Sequence, residues 1–161
     1  MDELFASLIK LLEDQEELMA RLVLLGEREM TALKKNDLPW LCSLVSEQEK
    51  TSQALSRLEE ERVRLQSELS AALHPGSNMI LRDFLPFAGK DQARLEILSA
   101  SLQAHCLRLQ DLNETNTLLI RQSLAYINRL MPHFAPNEGA TYSPEGHLQP
   151  LSKAVVLNKT V

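Results

Sequence analysis

A chain of 161 residues, 44% hydrophobic and 24% charged, has the makeup of one folded soluble domain, and its net charge of −5 excludes a broad nucleic-acid footprint, which needs clustered Lys and Arg. Only 4% of the residues are aromatic, so the core must be filled by leucine and its relatives, as in helical bundles and coiled coils. The two cysteines, Cys42 and Cys106, are too few for a disulfide framework and are expected as small buried hydrophobes in a reducing cytoplasm.

Residues 1–35, 38–73 and 91–131 carry apolar side chains at three- and four-residue steps. Pro39, Pro75, Pro86 and Pro132 stand where one such stretch gives way to the next. A proline inside a helix removes a hydrogen bond and clashes with the preceding turn, at a cost of about 3 kcal/mol. Three helices of about 35–40 residues are therefore expected, against a usual mean of about 11–12.

In the first, Leu4, Leu8, Leu11, Leu18, Leu22 and Leu25 form one stripe, with Gln15 in the one missing place. Phe5, Ile9, Leu12, Met19, Val23, Met30 and Leu33 form a second beside it, so this helix should touch more than one neighbour. Glu16 falls within the second stripe, where burial should thin. Lys34-Lys35-Asn36-Asp37-Leu38-Pro39 then reads as a stop followed by a start: lysines suit a helix C-terminus, Asp37 is a good N-cap, and Pro39 is tolerated in a first turn. So short a link makes helices one and two antiparallel neighbours.

Helix two continues through Leu41, Leu44, Val45, Leu55, Leu58, Leu65, Leu69 and Leu73, with Gln48, Thr51 and Ser52 where apolar residues would be expected and a charged outer run at Glu59-Glu60-Glu61-Arg62. Pro75-Gly76 ends it, and a short helix over 79–85, closed by Pro86 and Gly89, is expected inside the connection. Helix three holds the most regular register: Leu95, Leu98, Leu102, His105, Leu109, Leu112, Asn116, Leu119, Ser123, Tyr126 and Leu130. Beyond Pro132 no period remains, and residues 132–161 are expected as a flexible tail after a bundle domain over 1–131.

Charge separates the helices. Residues 1–73 hold fifteen acids and nine bases (−6), residues 74–131 five acids and six bases (+1), and the tail is neutral. Helices one and two therefore read as solvated outer helices. Helix three does not: from Thr115 through Asn137 there is no acidic residue. A face of amides, hydroxyls and apolar side chains resembles the charge-depleted core of an interface. Enclosure by the other two helices and coverage by a partner both stand open for it.

No glycine-rich phosphate loop, nucleophile elbow, zinc signature or inward Glu-x-x-His pair is present in the sequence, so no enzyme activity, metal or cofactor is expected. No apolar run approaches the roughly 20 residues needed to span a bilayer or the core of a signal peptide, so a cytoplasmic protein without membrane insertion is expected.

Two long antiparallel helices, a Pro/Gly break, Leu112-Asn113-Glu114-Thr115-Asn116-Thr117-Leu118-Leu119-Ile120 on a third helix, and Tyr142-Ser143-Pro144-Glu145-Gly146 in the tail follow in a telling order. The arrangement resembles the FlgN-type flagellar export chaperones of bacteria, as does the Asp37-Leu38 turn followed by Leu41, Leu44 and Val45. The resemblance implies a chaperone of the flagellar type III export pathway that uses no ATP. Its clients would be the hook-associated proteins, held by their C-terminal helices until export, with the export apparatus as a further partner. The fold expected is all-α: an elongated antiparallel bundle of three long helices with a short connecting helix and a flexible C-terminal tail. The client surface is expected on helix three at Asn113, Asn116, Leu119, Ile120, Ser123, Leu124, Ile127 and Leu130, with Tyr142 from the tail. The alternative is a coiled-coil scaffold or adaptor that self-associates through the same stripes, and whether the free chain forms a homo-oligomer stays open.

Overall fold

A computed structural model describes residues 2–74 and 79–134. The described residues form three long helices, α1 (Asp2–Lys35), α2 (Leu38–Leu73) and α3 (Gln92–Phe134), with short 3-10 segments at Leu81–Phe87 and Gly89–Asp91, and contain no strand. The fold is an all-α bundle. Residues 1–121 make one compact unit; a second begins at Gln122, and in it the last turns of α3 are described.

The α1–α2 hairpin is built from local chemistry. Asn36 takes a left-handed conformation (φ 54°), which its short polar side chain tolerates better than most. There its N–H donates to the Leu33 carbonyl and the N–H of Asp37 to that of Ala32, closing the end of α1 in a Schellman motif. Asp37 then caps α2, its carboxylate accepting from the Trp40 N–H at 3.1 Å, with Pro39 in the first turn where a missing N–H costs nothing. Pairs along the hairpin fix an antiparallel register: Gln15 with Glu59, Arg21 with Glu47, and Glu29 with Gln48.

The main core gathers Phe5, Leu8, Ile9 and Leu12 of α1, Leu69 of α2, Met79, Phe84 and Ala88 of the connection, and Leu95 and Leu98 of α3. A smaller cluster of Leu25, Ala32 and Leu44, flanked by Trp40 and Leu41, closes the hairpin end. The stretch between is poorer in apolar side chains, and its buried polar members Gln15 and Thr51 are hydrogen-bonded, as buried polar groups must be.

Three expectations are corrected. The short element spans Leu81–Phe87 as 3-10 helix and contains Pro86 rather than ending before it. Ile80 opens it by donating its N–H to the Asp83 carboxylate, and the Ala88 N–H to Leu85 carbonyl bond passes over the one donor Pro86 lacks. Helix three does not stop at Met131 but runs through Pro132 to Phe134, since so close to the end a proline forfeits a single backbone bond. Nor is α1 an outer helix. Of the buried apolar side chains α1 supplies seven (Phe5, Leu8, Ile9, Leu12, Met19, Leu25 and Ala32), α2 only two (Leu44 and Leu69) and α3 three (Leu95, Leu98 and Leu112). The two-stripe face of α1 makes it the shared element, and α3 is the helix that leaves most large apolar side chains exposed. The expected tail beyond Phe134, Tyr142 included, lies outside the described residues.

Candidate partner-binding face

One side of α3 is a seam against α1. Arg94 pairs with Glu13, the Ser101 hydroxyl donates to Glu16 at 2.8 Å, Arg108 donates to Glu27 at 2.7 Å, and Asn116 reaches Gly26 and Glu29. Both numbering series rise together, so α3 runs parallel to α1 and hence antiparallel to α2. Glu16, unexpected within an apolar stripe, is thus accounted for by the seam, where it accepts from Ser101 and lies 3.5 Å from His105 Nε2.

Near the hairpin end the seam tightens. Leu112 is buried against Gly26, where an added Cβ would stand 3.3 Å from the Leu112 Cδ1, so glycine is what permits this approach. One turn on, the Asn116 Nδ2 donates to the Gly26 carbonyl at 3.1 Å and to Glu29 Oε2 at 3.0 Å. The same Glu29 oxygen accepts from Gln48 of α2 at 2.8 Å, tying three helices at one carboxylate. Asn116, expected on the client surface, is 3% exposed in the free chain, with its donor group spent inside the bundle.

The remaining sequence-derived residues fall on two sides of α3. Leu119, Ser123 and Leu130 are half-buried along the continuation of the seam line. Asn113, Ile120, Leu124 and Ile127 are exposed, and Thr117 and Met131 complete their line at steps of four and three. Ile120 is 39% exposed, Leu124 53%, Ile127 50% and Met131 60%. Met131 escapes the sequence reading because a helix expected to end there offers it no face. Tyr126, placed in the seam by periodicity, is 65% exposed. Farther back, Ile97 and Leu107 are exposed as well, on a third side of the helix.

Elsewhere, Arg62 and Glu59 are not simply outward charge. Glu59 accepts from Gln15 of α1 and from Arg62, and the Arg62 guanidinium holds the Glu59 carboxyl below its ordinary value of 4.5 while its own pKa is raised in return. A groove of about 370 Å³ opens beside this pair, lined by Leu12, Met19, Leu55, Leu81, Leu102 and Cys106 among others. Cys42 and Cys106 are both exposed, a correction to their expected burial: each sits one step off the apolar line that carries Leu41 and Leu44 or Leu102 and Leu109. Among the described residues no His, Cys, Asp and Glu side chains gather as metal ligands, and no helix is long and apolar enough to cross a membrane.

The geometry thus defines an all-α bundle with an apolar line of its third helix open to solvent. A protein-family model described as FlgN protein matches residues 1–150, and the chain belongs to the FlgN family, a family of flagellar export chaperones. No curated protein and no solved structure matches it.

Proposed function

We propose that this protein is a cytoplasmic chaperone that holds the C-terminal helices of flagellar hook-associated proteins before their export. The observation that carries the reading is the exposed line Ile120, Leu124, Ile127 and Met131 on a helix without an acid after Glu114. Surface helices ordinarily keep solubility with Glu and Lys, and an uncharged apolar line in their place marks an interaction surface. Its spacing suits an amphipathic client helix laid along α3, which would shield the stripe that such a helix otherwise uses to self-assemble. Asn113 and Thr117 extend the line with amides and hydroxyls. Leu119, Ser123 and Leu130 border it, and Tyr142 is assigned to the same client contact through the family phrase it belongs to. Holding a client in this way is binding alone and asks for no catalytic group.

The test is Ile127→Asp with a purified hook-associated protein as client. A carboxylate forced into a buried apolar contact costs at least about 2 kcal/mol, a weakening of roughly 30-fold in Kd. Helical circular dichroism and Tm should stay at the wild-type values, because Ile127 is half exposed in the free chain. Unchanged client affinity would overturn the assignment of this face, and a stable homo-oligomer that ignores the client would favour a self-associating scaffold.

A further inference from the structure

The charges beside the open line of α3 say what kind of helix fits it. With Thr117, Leu124 and Met131 as one set of heptad positions and Asn113, Ile120 and Ile127 as the other, the two flanks of the line are unlike. One flank, Asn116, Ser123 and Leu130, is buried or half-buried. The other, Glu114, Arg121 and Asn128, is exposed along its whole length. Flanking positions of this kind set partner choice and orientation in helix pairs.

Arg21, Arg62, Arg94 and Arg108 each pair with a carboxylate, whereas among the described residues Arg121, like Arg28, Arg57, Arg64, Arg82 and Arg129, forms no ion pair, and of these Arg121 is the one on the flank of the line. Glu114 and Arg121 stand seven residues apart, about 10 Å along the helix, at the two ends of a shallow groove completed by Asn113, Thr117 and Leu118. Resting on the docking of a client helix proposed above, we infer that the client segment is an amphipathic helix bearing a carboxylate opposite Arg121. A second carboxylate one heptad away, opposite Glu114, is disfavoured.

A second copy of this chain does not meet that requirement. The antiparallel register that matches the apolar line with itself sets Ile120 against Met131 and Leu124 against Ile127, and it leaves Arg121 facing Asn128. The register that joins Arg121 to Glu114 sets Thr117 against Ile120 and Asn113 against Leu124, pairing polar groups with apolar ones. Neither antiparallel self-pairing satisfies both the apolar line and the charge, which favours a helix of different sequence.

Two synthetic 28-residue helical peptides with the same Leu/Ile stripe test this, identical except for Glu or Lys at the one flanking position opposite Arg121 and with Gln opposite Glu114, titrated into the full chain by fluorescence anisotropy. The Glu peptide should bind roughly threefold tighter at low salt, the scale of one exposed ion pair, and the preference should fade as salt rises. Arg121→Glu, at an exposed position that leaves the fold intact by circular dichroism, should invert the order. Equal binding of both peptides, with no response to Arg121→Glu, overturns the charge inference and leaves helix docking standing. Binding of neither peptide overturns the docking reading and this inference together.

Discussion

Asn116→Ala separates a bundle residue from a client-binding one. The side chain makes two hydrogen bonds through Nδ2, to the Gly26 carbonyl and to the Glu29 carboxylate, while its Oδ1 is buried with no partner. A bond to a charged group contributes about 1.5–3 kcal/mol and a neutral one about 0.5–1.5. Three features pull the loss toward the lower end. The Gly26 carbonyl lies within α1 and keeps its helical acceptor role, Glu29 keeps Gln48, and truncation also deletes the unpartnered Oδ1. A net loss of about 1.5 kcal/mol follows, or roughly 3–6 °C in Tm for a chain of this size. Urea denaturation followed by far-ultraviolet circular dichroism measures it, and client affinity is read in parallel. The expected outcome is a lower midpoint with client Kd within about twofold of wild type, the opposite pattern to Ile127→Asp. Unchanged stability with lost client binding would refute the placement of Asn116 inside the bundle.

Gly26→Leu should force α3 away from α1 at Leu112, and overpacking of this kind costs about 1–3 kcal/mol in denaturation experiments. Phe84→Ala should cost more, about 3–5 kcal/mol, because the ring is fully buried where the connection meets all three helices; a loss under about 1 kcal/mol would mean the connection does not anchor the core. Glu59 has a folded pKa lowered by Arg62, so its contribution is complete above the ordinary value of 4.5 and is lost as pH falls through the folded value. Glu59→Gln should therefore lower stability at pH 7 and converge with wild type in acid, and a constant gap across that window would refute the pairing. Truncation after Phe134 should leave helix content and Tm near wild type while weakening the client complex, and equal client affinity would remove residues 135–161 from the interaction.

The helices were legible because their signals are long and redundant. α2 begins and ends at the expected residues, since Asp37 with Pro39 marks one end and Pro75-Gly76 follows the other. The end of α3 was not, because one proline in a last turn costs too little to stop a helix. The apolar members of the α3 seam were also readable: Leu95, Leu98 and Leu112 are buried. What the sequence did not disclose was that the residues named for the client surface divide between that seam and a second line beside it. Asn116 and Ile120 belong to different sides of one helix, yet both fit steps of three and four, and only the position of Gly26 and Glu29 on a neighbouring helix separates them. Gln15, Thr51 and Glu16 were hidden for a related reason: their partners, or the turn that satisfies them, come from folding.

The open line of α3 also sets the strength of what it can hold. Full burial of a Leu, Ile or Met side chain is worth about 1.5–3 kcal/mol, and Ile120, Leu124, Ile127 and Met131 are each roughly half exposed. Covering what remains of all four supplies about 3–6 kcal/mol, no more than the lower part of the roughly 4–15 kcal/mol that association costs in lost freedom. The line alone therefore specifies where a helix lies without holding it. Further contact has to add the surplus, and the family match runs past the end of α3 to residue 150, across the Tyr142–Gly146 phrase. On the proposed function, a chaperone that has to release its client is served by this division. Several modest contacts on different segments can be released in turn, whereas one large buried interface would have to come apart at once.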